Sequence, residues 1–296
     1  MNLIQEASHY LSKGKVIAIP TETVYGLAAD ASNPLALRQI FALKNRPVTH
    51  PLIVHVQSIA QAKEWCVWSD IAQALAEKFW PGPMTLILPK KPHVVDEVTG
   101  GLPSIGLRVP SHKLTLSLLK ECGCALAAPS ANRFGKISPT TAKHVQEEFG
   151  EDLFVLDGGP CSIGVESSII DLFSGPSILR PGAISPQDIS KIVGTLQHSN
   201  TIAPGSHKSH YAPMTSLLLS EDPHKKAQAL RKKGLKVAVL EATSSEEYAK
   251  KLYAELRRLD KEGHDILIAQ KASADHLGRA INDRLRRASH KNTTTP

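Results

Sequence analysis

"FALKNRPVTHPLIVHV", residues 41–56, is where one kind of element hands over to another. Upstream, "NPLALRQIFALK" (33–44) spaces its apolar side chains as one face of a helix does. Downstream, "PLIVHV" (51–56) alternates Leu52, Val54 and Val56 against Ile53 and His55, the two-residue period of a strand. A helix running through a proline-bracketed turn into a short apolar strand is the working unit of an α/β fold. The turn also carries Lys44 and Arg46, and the strand interrupts an apolar face with a histidine.

The same pattern extends both ways. "KVIAIP", "MTLILP", "IGLRVP", "ALAAPS", "LFVLDGG" and "SSIIDLF" read as strands, while "SDIAQALAEKFW", "HKLTLSLLKECG" and "SPTTAKHVQEEFG" read as helices. Asn33-Pro34 and Ser138-Pro139 each place a capping side chain before a proline at the first helical position, predicting helix starts at both. Periodicity is lost over "GTLQHSNTIAPGSHKSHYAP" (194–213). Three strand–helix pairs follow, predicting a small three-layer parallel unit with "HKNTTTP" as a polar tail. The expected division is 1–190, a linker at 191–213, and 214–296.

Composition narrows the class. Among 296 residues, 42% are apolar, with no run long enough to span a membrane and no leader-like N-terminus, so a cytoplasmic enzyme is expected. The net charge of +7 is uneven: residues 1–190 hold 16 Lys and Arg against 17 Asp and Glu, and the remainder 19 against 11. Any general attraction to polyanions therefore belongs to the C-terminal part. The four cysteines include one C-x-C and no C-x-x-C, which suits neither a zinc knuckle nor a disulfide ladder.

Neither a Walker-type loop nor a strand-following G-x-G-x-x-G occurs, so any nucleotide must be held by side chains. Lys44 and Arg46, pinned beside Pro47, suit phosphate; equally, they complement the C-terminal dipole of the preceding helix. "IPTETVYGL" ends a strand in Thr21, Glu22 and Thr23. Arg108 sits inside a short apolar strand, where it needs an anionic partner from the protein or from a substrate. "APSANRFGKISPTT" offers Ser130 and Ser138 beside small residues, and "GVESSIIDL" and "ILRPG" add Glu166, Ser167 and Arg180. Strand ends rich in hydroxyls and cations, without a nucleophilic triad, point to orienting an anionic substrate of several parts.

In that order, "PTETVYGL", "K-x-R-P-x-x-x-PLIVH", "FWPGPMTLILP", "GLRVP", "APSAN", "SPT", "DGG", "GVESSIIDL" and "LRPG" resemble the YrdC-type L-threonylcarbamoyladenylate synthases. "HYAP" and "LGRAINDRLRRAS" resemble the C-terminal domain of their long form. The resemblance implies a YrdC-like twisted open sheet with flanking helices, plus a Rossmann-like three-layer C-terminal domain. It implies synthesis of threonylcarbamoyl-AMP and pyrophosphate from L-threonine, bicarbonate or CO2, and ATP with Mg²⁺, without direct protein ligation of the metal. A separate transferase complex would then modify N6 of adenosine 37 in tRNA.

Carried over by position, Thr23, His55, Arg108, Ala128 and Ser167 would contact threonine. Lys44, Arg46, His50, Ser104, Ser130, Ser138, Arg180 and Tyr211 would line ATP, with Lys44 and Arg46 as the catalytic cations. His50 stands where members commonly have Asn, implying an altered or pH-sensitive contact. Lys208 and Ser209 replace an expected aromatic–arginine pair, and Asn45 replaces a frequent glycine. The competing readings are a non-catalytic protein binding structured RNA or tRNA through its basic C-terminal part, and a carbamoyl-phosphate-dependent transferase. The latter lacks its expected zinc-finger and acylphosphatase-like segments.

Overall fold

Asn33 accepts hydrogen bonds from the backbone N–H groups of Leu35 and Ala36, and Pro34 supplies the first turn, so the helix expected there runs Pro34–Lys44. It stops at Asn45, whose φ of 51° is the left-handed conformation that glycine and asparagine adopt most readily. This is the physical reason for a Gly or Asn between the two cations.

The computed structural model describes residues 2–197 and 210–290. Its first sixteen elements are α1 (Leu3–Ser12), β1 (Ile17–Ile19), β2 (Gly26–Asp30), α2 (Pro34–Lys44), β3 (Ile53–His55), α3 (Ile59–Trp65), α4 (Asp70–Phe79), β4 (Met84–Pro89), α5 (Asp96–Thr99), β5 (Ser104–Arg108), α6 (Lys113–Cys122), β6 (Leu126–Ala127), α7 (Ala142–Phe149), β7 (Ser168–Asp171), β8 (Ser177–Arg180) and α8 (Pro186–Val193). After residue 210 come β9 (Ser216–Ser220), α9 (Pro223–Arg231), β10 (Val237–Leu240), α10 (Ser245–Asp260), β11 (Ile266–Gln270) and α11 (His276–Ser289).

The first eight strands form one mixed sheet in the order β1-β2-β6-β3-β5-β4-β7-β8, and the last three a parallel sheet, β10-β11-β9. On the large sheet, α1 and α6 cover one side through Ala7, Leu11, Leu118 and Leu119. The main core lies under Leu37, Ile40, Leu75 and Val145 of α2, α4 and α7. Helix α8 runs past residue 190, and Ile189, Ile192, Val193 and Leu196 pack into that same core. Most of the expected linker, residues 198–209 with Lys208 and Ser209, lies outside the described residues.

One expected helix start is corrected. α7 begins at Ala142 with Thr141 as its cap, because the Ser138 hydroxyl is bonded to Glu166 and the Pro139 carbonyl accepts from the Tyr25 N–H. "LFVLDGG" likewise forms only a single bridge, between Ala18 and Val155, and no full strand.

The small sheet's domain docks through a shared apolar cluster. Val24, Ile137 and Val165 of the first domain pack with Tyr248, Leu252, Tyr253 and Leu256 of α10. Full burial of an aliphatic such as Val165 is worth about 1.5–3 kcal/mol. Ion pairs between Arg257 and Glu148 (3.3 Å) and between Lys261 and Glu147 (2.7 Å) flank the cluster.

Closest approach is at Gly164, φ 87°, where a Cβ would lie 2.3 Å from the Ala249 carbonyl oxygen. Gly164→Ala therefore combines backbone strain with a clash against a helix. It should lower stability by about 3 kcal/mol in denaturant titrations. Gly123→Ala, at a left-handed φ of 66° with open space around it, should cost only about 1 kcal/mol.

Candidate active site

Strand register builds the floor of a cavity. His55 pairs with Arg108, the Leu86–Leu107 pair puts Thr85 on the same face as Arg108, Thr85 pairs with Ile169, and Ile169 with Arg180. Because cross-strand partners point to the same side, one row across β3, β5, β4, β7 and β8 presents His55, Arg108, Thr85 and Arg180 together. Strand ends supply the walls: Thr21 and Thr23 before β2, Ala128 and Ser130 after β6, Glu166 and Ser167 before β7. The space between their atoms, part of it open to solvent, is about 590 Å³.

Arg108 is compensated from inside the protein, answering the alternative left open by its sequence. Its Nη2 meets Glu22 Oε1 at 2.6 Å, Nη1 donates to Thr23 Oγ1 (3.0 Å) and Nε to the Gly82 carbonyl (3.1 Å). Two of its five N–H donors remain for a ligand. Burial opposes the charge on Glu22, but Arg108 outweighs it and holds that carboxyl below its ordinary range. Arg180 grips Ser167 through its carbonyl and hydroxyl oxygens (both 2.9 Å), and the Ser167 hydroxyl also lies 2.8 Å from that of Thr85.

Asn45 parts the two cations of the opening stretch. Arg46 enters the cavity wall, donates once, to the Pro51 carbonyl (3.0 Å), and lies over the Phe134 ring at 5.6 Å. Burial brings its pKa down to about 10, leaving it cationic at neutral pH. Lys44 turns the other way. Its buried Nζ donates to the carbonyl oxygens of Ser130 and Asn132, behind the wall that Arg46 lines, and burial, with the Arg46 charge beside it, pushes its pKa well below the ordinary lysine range.

Of the expected residues, Thr23, Arg46, His55, Arg108, Ala128, Ser130, Ser167, Arg180 and Tyr211 line the cavity. The other four are not among its lining residues. Lys44 holds the 130–132 backbone, and His50 packs its ring on Phe134 at 5.2 Å, beneath Arg46. Ser138 donates to Glu166, and Ser104 opens β5 on the Arg108 face.

Sequence reasoning did not assign roles to Glu22, Glu166 or His210. The signal for the first two was an acid at a strand end among hydroxyls. Glu166 is 5% exposed and accepts from Ser138 Oγ (2.6 Å), Tyr253 Oη (2.9 Å) and Arg284 Nε (2.7 Å). Burial alone would raise its carboxyl, but the Arg284 and Arg180 charges bring it down to about 2.

His210 and Tyr211 close the cavity. Burial lowers the pKa of both His55 and His210 to about 3, reinforced by Arg108 for the former and by Lys44 and Arg46 for the latter; both imidazoles are neutral at pH 7. Arg46 Nε, His55 Nδ1, His210 Nδ1 and Tyr211 Oη are buried without a hydrogen-bond partner among the described residues. Four such atoms around one cavity are what a polar ligand would satisfy. Among the described residues no three His, Cys, Asp or Glu side chains converge as a metal-binding group would.

Two family models match the chain end to end: the Sua5/YciO/YrdC model, described as telomere recombination, over residues 9–182, and the threonylcarbamoyl-AMP synthase C-terminal domain over residues 184–290. The threonylcarbamoyl-AMP synthase of Pyrococcus abyssi is 38% identical, covering 97% of this chain and 94% of its own length; that of Bacillus subtilis is 37% identical, covering 97% and 92%. The crystal structure of P. abyssi Sua5 complexed with L-threonine superposes with a TM-score of 0.90 at 36% identity, covering 97% of this chain and 94% of that one. By this agreement in sequence and architecture over nearly its whole length, the chain belongs to the Sua5/YrdC family of threonylcarbamoyl-AMP synthases, in the form that carries the C-terminal domain.

Proposed function

We propose that residues 1–190 condense L-threonine, bicarbonate or CO2, and ATP into threonylcarbamoyl-AMP and pyrophosphate, in the cytoplasm, for later transfer by a partner complex to adenosine 37 of tRNA. The carrying observation is the cavity itself: three buried guanidiniums, hydroxyls from several strand ends and four unpartnered polar atoms face one space, with no nucleophile–base pair among them.

In this reading the Arg108 end takes the amino acid. The two spare donors of Arg108 meet the threonine carboxylate, Thr23, Ser167 and neutral His55 meet its polar groups, and Ala128 contributes backbone. The other end takes ATP. Arg46, Ser130, Arg180 and Tyr211 line the nucleotide, while Lys44, His50, Ser104 and Ser138 support that wall from behind. The threonine amine adds to CO2 and loses a proton, giving an N-carboxylate. A carboxylate oxygen then attacks the α-phosphorus, and the bond to the bridging oxygen breaks to release pyrophosphate. The chain's contribution is orientation and cationic stabilisation of the phosphates by Arg46 and Arg180. Mg²⁺ arrives on the triphosphate oxygens and supplies further charge neutralisation there.

Release of pyrophosphate by the purified chain should require ATP, threonine and bicarbonate together, with the adenylate visible by mass; release without threonine would contradict the reading. Arg46→Ala should lower turnover by about 10²–10³-fold with an unchanged melting curve.

Neutral burial of His55 and His210 also makes a stability prediction. Both bind a proton near pH 6.5 when unfolded and only near 3 when folded. Their contribution is therefore fully present above about pH 6.5 and is lost as pH falls toward 3, each approaching about 1.4 kcal/mol per pH unit. Urea midpoints should decline between pH 7 and 5, and His55→Gln should make that decline visibly shallower.

A further inference from the structure

Tyr253 on α10 and Arg284 on α11 are outside the cavity lining, yet both act on two groups that are part of it. The first is Glu166. A carboxylate on the wall of a site that admits a triphosphate repels it. Arg284, with no exposed side-chain surface, places its Nε 2.7 Å from Glu166 Oε2, and the Tyr253 hydroxyl donates toward the same carboxylate at 2.9 and 3.1 Å. The carboxylate's charge is thus met from behind the wall.

The second group is Tyr211. It is one of two described non-glycine residues at positive φ (61°), a conformation that costs about 1 kcal/mol or more unless its surroundings enforce it. Those surroundings include the same two residues, beside His210 and the Ala212 N–H bond to the Gly135 carbonyl. The Tyr253 ring stacks on Tyr211 at 5.8 Å and 28°, and the Arg284 guanidinium carbon lies 5.4 Å from the Tyr211 ring centre. The Tyr211 hydroxyl is buried and without a hydrogen-bond partner among the described residues.

We propose that Tyr253 and Arg284 are positioning residues for the nucleotide: from the C-terminal domain they mask the Glu166 charge and fix Tyr211, and so set the affinity of the cavity for a polyphosphate. The proposal rests on the ATP reading above. It assigns the second domain a share in substrate affinity without contact with the substrate.

Calorimetric dissociation constants for MgATP and for threonine, measured on the full chain, test it. Arg284→Met should weaken ATP about tenfold, with threonine changed less than about twofold. Adding Glu166→Gln, which removes the unmasked charge, should recover most of the loss. Unchanged ATP affinity, parallel weakening of both ligands, or a double variant no better than the single would overturn the proposal. If thermal melts show Arg284→Met unfolded, Tyr253→Phe carries the test, because it removes one hydroxyl donor and keeps the ring. ATP weakened about threefold supports the proposal and an unchanged constant overturns it. Wild-type chain that binds ATP yet releases no pyrophosphate with threonine and bicarbonate would remove the synthase reading alone and leave the masking result standing.

Discussion

A carboxylate taken almost wholly out of water must be paired or it will not stay charged, and Glu166 is the point at which this chain meets that requirement. Its partners come from three places far apart in sequence: Ser138 on the loop before α7, Tyr253 on α10 and Arg284 on α11. Removing one partner of a buried pair typically costs about 3–5 kcal/mol, because the remaining charge is stranded. The docking of the small sheet, the path of residues 137–140 and the start of β7 therefore all converge on one charge, alongside the Arg257–Glu148 and Lys261–Glu147 pairs. The apolar cluster around Val165 and Tyr253 holds the halves together without choosing their register; the carboxylate, with its directional acceptors, makes that choice.

The cavity follows the same rule on a smaller scale. Arg108 is neutralised by Glu22 and Arg180 is surrounded by Ser167 and the field of Glu166, whereas among the described residues Arg46 meets a carbonyl and an aromatic face and no carboxylate. Charge is thus graded across the site. The Arg108 end presents a compensated guanidinium and the Arg46 end a barely compensated one. Neutral His55 and His210 add hydrogen-bonding capacity without adding to the positive charge.

Local chemistry was legible from the residues, and long-range pairing was not. The α/β alternation, the Asn33-Pro34 cap and the inward histidine of β3 all depend on neighbours within a few positions, and each is seen in the structure. Ser138-Pro139 has the same local appearance as Asn33-Pro34. It fails as a cap because its hydroxyl is claimed by a carboxylate 28 residues away. Lys44 and Arg46 look equivalent in sequence, yet the left-handed turn at Asn45 sends one behind the wall and the other into it. Glu22 and Glu166 carried a weak signal, since an acid at a strand end reads as a turn until its arginine is placed opposite. The arginines arrive 86 and 118 residues later, on other elements.

The shared cluster of Val24, Ile137, Val165, Tyr253 and Leu256 has one more consequence. These side chains belong to the interior of neither sheet's domain taken alone, so separating the two would turn core into bare apolar surface on both. Each half needs the other to keep its interior dry. The shared cluster therefore couples the unfolding of the two halves, although no strand is common to their two sheets.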